Sequence, residues 1–80
     1  MASPFYQKVI GVITPYIGPD KAVLAVERNL ARCGATKESF DNKHFGTIVN
    51  YVVGASYVWL DQDKDKEKKA ELSAKLRALA

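Results

Sequence analysis

Cysteine is almost missing from this chain: Cys33 is the only one among 80 residues. One thiol cannot close an intrachain disulfide, and it cannot build a cysteine-based zinc site. The chain therefore fits a reducing, cytoplasmic setting. Histidine is equally scarce. With His44 alone, no pair of imidazoles exists to hold a metal. Glycine-rich phosphate loops are missing too, since neither Gly-x-Gly-x-x-Gly nor a Walker loop occurs. A basic leader followed by a long apolar run is lacking at the start, so no signal peptide is expected. An excess of one charge is also lacking. The net charge is +3, divided between +2 for residues 1–60 (six Lys/Arg, four Asp/Glu) and +1 for residues 61–80 (six and five). Nucleic-acid binders usually concentrate their basic residues on one face.

What is present is a mixture of apolar and charged residues, 48% hydrophobic and 26% charged, that belongs to folded domains and not to disordered ones. A domain this small hides only about 60–65% of the surface its unfolded chain exposes. With no disulfide and no metal to staple it, association with another chain is the remaining aid. The longest apolar stretch runs from Phe45 to Leu60 without a formal charge. Its sixteen residues include Thr47, Asn50, Ser56 and two glycines, and a membrane span needs about 20 apolar residues. Protein, not lipid, is expected to cover it.

Periodicity predicts an all-α domain of about four helices occupying residues 1–80. Phe5 or Tyr6, Val9, Ile10, Ile13, Tyr16 and Ile17 recur at spacings of three and four, with Ser3 as N-cap and Pro4 in the first turn, although the β-branched content of this block also permits a strand. Pro15 should bend or end that helix near Thr14. Gly18-Pro19-Asp20 closes it and opens a second helix over 19–33, striped by Ala22, Val26, Leu30 and Cys33 and stopped by Gly34. A tight turn from Thr36 to Ser39 precedes Phe40, an expected core anchor. Asp41 or Asn42 can cap a third helix. Phe45–Leu60 then reads as a helix apolar nearly all round, hence the central buried element. Its competitor is a β-hairpin over 47–60 turning at Gly54-Ala55, which would make the domain α+β. The adjacent pairs Ile48-Val49 and Val52-Val53 break strand alternation and favour the helix. Residues 61–64 form a charged linker. A last helix starts near Asp65, with acids early, bases late and a narrow Leu72/Leu76/Leu79 seam that packs across the other helices or onto a second subunit.

Candidate chemistry is thin. Asp61, Asp63 and Asp65 alternate like the first ligands of a calcium loop, but Lys66 replaces the required glycine and Leu72 the closing glutamate. Asp41 or Glu38 could pair with His44, and His44 could serve Cys33 as a base; each would be a lone pair without a third group to orient it. No catalytic, cofactor or metal residue is assigned and no enzyme is expected.

The segment Ile17-Gly18-Pro19, followed by Ala22, Val26, Leu30 and the Thr36…Phe40 turn, resembles small all-helical domains attached to bacterial signalling and regulatory proteins. The resemblance ends at Phe40; the aromatic third segment and the charged tail depart from it. It implies a cytoplasmic interaction module and names no substrate.

The resulting expectation is a non-enzymatic protein-interaction or regulatory module that self-associates. Leu72, Leu76 and Leu79 would supply the seam and Tyr57 and Trp59 the aromatic anchors. The alternative is a small nucleic-acid-binding regulator that uses Arg28 and Arg32 of helix two with Lys68, Lys75 and Arg77 of the last helix.

Overall fold

Among the described residues there are four helices: α1 (Pro4–Ile17), α2 (Pro19–Cys33), α3 (Asn42–Tyr57) and α4 (Lys66–Leu79). A computed structural model describes residues 3–60 and 64–79. No strand occurs among the described residues, so the hairpin alternative for 47–60 is excluded. The reason is local. Asp41 caps the start of α3 by accepting from the backbone N–H of His44 at 3.0 Å, and the apolar positions that follow keep helical spacing.

The first helix starts where Ser3 and Pro4 direct it. The Ser3 hydroxyl accepts from the Tyr6 N–H at 3.1 Å and donates to the Phe40 carbonyl at 2.7 Å, while the Ser3 N–H donates to the Lys37 carbonyl at 2.8 Å. One serine thus caps a helix and fastens it to the α2–α3 connector. Pro15 does not end α1, which continues to Ile17. Proline in the last turn deprives only the Gly11 carbonyl of its donor, and Gly11 lies on the exposed side. Gly18, with φ of 90°, then turns the chain sharply into Pro19. α2 ends in a Schellman motif: Gly34 takes a left-handed φ of 70°, its N–H donates to the Ala31 carbonyl, and the Ala35 N–H donates to the Leu30 carbonyl at 3.1 Å.

Phe40 is 1% exposed and sits at the centre of an aromatic cluster. Phe5, Phe45 and Tyr6 meet it edge-on with centroids at 5.5, 5.9 and 6.4 Å, and the His44 ring stacks on it at 6.4 Å. Below this cluster the core is aliphatic, built from Val9 and Ile13 of α1, Ala22, Val26 and Leu30 of α2, and Ile48, Val49, Val52 and Val53 of α3.

Two sequence expectations change here. First, α3 is not buried all round. Phe45, Ile48, Val49, Val52, Val53 and Ser56 face the core, whereas Gly46, Thr47, Asn50, Tyr51 and Gly54 face outward. An 80-residue bundle has too little mass to enclose a helix, and small uncharged residues can meet water without a charge. The buried Ser56 hydroxyl donates to the Val52 carbonyl at 2.9 Å. Past Tyr57 the chain tightens into i→i+3 hydrogen bonds through Leu60, so the apolar run outlasts its α-helix by three residues.

Second, Leu72 and Leu76 are both 0% exposed, and Leu79 packs half-buried against the same core. Of the two destinations expected for the seam, the other helices take Leu72 and Leu76, while Leu79 keeps part of its surface exposed. Its narrowness is that of a helix laid on a small bundle, not of a coiled-coil edge. The linker expected at 61–64 lies mostly outside the described residues, which resume at Lys64. The radius of gyration, 11.6 Å, matches the value of about 12 Å for a compact chain of this length, so α4 is docked and not extended.

The packing order fixes which surfaces can cooperate. α1 and α3 each pack against both α2 and α4, whereas α2 and α4 do not touch. They occupy opposite sides of the bundle.

Candidate interaction surface

Three large hydrophobic side chains remain exposed among the described residues: Leu24 at 42%, Tyr51 at 53% and Val58 at 76%. Leu24 lies on α2, Tyr51 on α3, and Val58 caps the end of α3. These are neighbouring helices. The Arg32 guanidinium lies over the Tyr51 ring at 4.5 Å, which brings the two outer stripes together. Helical spacing places Arg28 one turn before Arg32 and Leu24 one turn before that. On α3, helical spacing puts Thr47, Tyr51 and Val58 on one outward stripe. A cationic strip with Tyr51 beside it thus runs along the α3-facing flank of α2, and Leu24 lies on the outermost side of that helix.

The residues proposed from sequence divide between this strip and other places. Arg28 and Arg32 belong to it, both exposed, and Arg28 makes no ion pair or hydrogen bond among the described residues. Lys68, Lys75 and Arg77 lie on α4, which does not touch α2, so the five basic residues do not form one platform. The α4 cations are also largely occupied. Lys68 pairs with Asp65 at 3.7 Å, Lys75 pairs with Glu71 at 3.1 Å, and the Arg77 Nε donates to the Ser73 hydroxyl at 3.1 Å. The Lys75 ammonium also lies over the Tyr16 ring at 5.4 Å. Hydrogen bonding to Tyr16 and Glu71 raises the pKa of Lys75, and the Lys75 partner holds the Glu71 carboxyl below its usual range.

Tyr57 and Trp59, expected as anchors, are half-buried. The Tyr57 hydroxyl donates to the Lys69 carbonyl at 2.9 Å and its ring carries the Lys69 ammonium at 5.3 Å. Tyr57 therefore ties α3 to α4 and is committed within the chain. Sequence reasoning passed over Leu24 and left Tyr51 and Val58 on unassigned flanks. The signal was available: Leu24 stands opposite the Ala22/Val26/Leu30 stripe on a helical wheel.

Elsewhere the chemistry stays structural. Cys33 is half-buried and its thiol donates to the Leu30 carbonyl at 3.2 Å, a contact within its own helix and not one with His44. The described residues contain no cavity and no cluster of His, Cys, Asp and Glu able to hold a metal. Asp61 and Asp63 of the calcium-like pattern lie outside them. No described helix is long and apolar enough to cross a membrane. No family model, curated protein or solved structure matches this chain.

Asp41 and His44 do meet, as a helix cap. The same carboxylate oxygen that accepts from the His44 N–H stands 3.1 Å from Nδ1. That ring nitrogen is itself covered and is not aligned for a hydrogen bond. The backbone N–H of His44, followed by the nearby positive charges of His44 and Lys43, holds the Asp41 carboxyl below its usual range. A carboxylate depressed in the folded state stabilises it above the unfolded pKa, and that contribution is lost as pH falls through the lower, folded value. The window lies below about pH 4. Asp41→Asn keeps a capping side chain but removes the titration. Urea midpoints at pH 3 and pH 6 should therefore differ less in Asp41→Asn than in the parent chain. An equal difference in both would show that Asp41 does not contribute to the acid limb.

Proposed function

We propose that this chain is a small non-enzymatic interaction module that takes a protein partner on its α2–α3 face. The exposure of Leu24, Tyr51 and Val58 along one pair of neighbouring helices carries this reading. Single exposed hydrophobics are ordinary on any surface. Three of them grouped on neighbouring helices, rimmed by polar and cationic residues, have the composition of an interface patch. Aromatic and arginine side chains are also the residue types that supply most interface energy. A regulatory role fits a module of this size, which brings two chains together without chemistry of its own.

Photo-crosslinking tests the reading directly. A photoreactive amino acid introduced singly at positions 24 and 58, and at positions 70 and 74 on the exposed side of α4, is activated in cells that make the protein. Discrete adducts from 24 and 58 and none from 70 and 74 are expected. Adducts of twice the chain mass, 8.8 kDa each, would identify a second copy as the partner. Adducts confined to α4, or none from any site, would rule out the α2–α3 face.

A further inference from the structure

We draw no further inference here: the strongest candidate, the uncharged outward stripe of α3 with Thr47, Tyr51 and Val58, is an exposed helix face, and nothing in the structure shows what covers it.

Discussion

Phe40→Ala is expected to cost about 3–5 kcal/mol, the range for deleting a fully buried aromatic ring. A chain of this length has about 4–12 kcal/mol in total. The substitution should therefore remove a large part of the protein's stability. The size follows from position. Phe40 precedes the cap of α3, packs on Phe5 and Tyr6 of α1 and Phe45 of α3, and carries the His44 ring on its face. Its carbonyl also receives the Ser3 hydroxyl. Alanine would leave a cavity that three helices border, and rigid helices close such a gap poorly. Urea unfolding followed by circular dichroism measures the loss. A cost under about 1 kcal/mol would mean that the aromatic cluster does not hold α1 to the connector.

Leu76→Asp is expected to unfold the chain, not to separate subunits. Leu76 is 0% exposed, and its removal alone costs about 2–5 kcal/mol. An aspartate there would also be buried without a partner, which adds a desolvation penalty of similar size. Together these approach or exceed the whole stability of an 80-residue domain. Circular dichroism should show loss of helix, and light scattering should show either an expanded monomer or aggregate. Leu24→Ser, at an exposed position, provides the contrast and should change stability by no more than about 0.5 kcal/mol. A well-folded Leu76→Asp chain of half the parent's mass would restore the association seam and displace the packing described for α4.

Much of the fold was legible because local signals agreed. Gly18-Pro19 and Gly34 bracket α2 at both ends, and their roles depend on backbone conformation alone. Asp41 capped α3 for the same reason, and the doubled apolar residues at 48–49 and 52–53 decided helix over hairpin. Pro15 misled because its effect depends on its place in the helix: in the last turn it costs one hydrogen bond instead of breaking the helix. The candidate site was less legible. Which of two apolar stripes is spent on the core depends on how helices sit together. Leu72, Leu76 and Leu79 could pack across the other helices or onto a second subunit, and spacing along one helix does not say which. The unclaimed stripe proved to be Leu24, Tyr51 and Val58. The separation of Arg28 and Arg32 from the α4 lysines has the same origin, since charge counts carry no information about which helices adjoin.

Because the outer pair of helices never meet, α2 and α4 are free to vary independently. Surface changes on one make no direct contact with the other, and paired substitutions at outward positions should sum. The bundle can accumulate mutations on the outer side of α2 while the lysine-rich α4 drifts under separate constraints, with α1 and α3 lying between them.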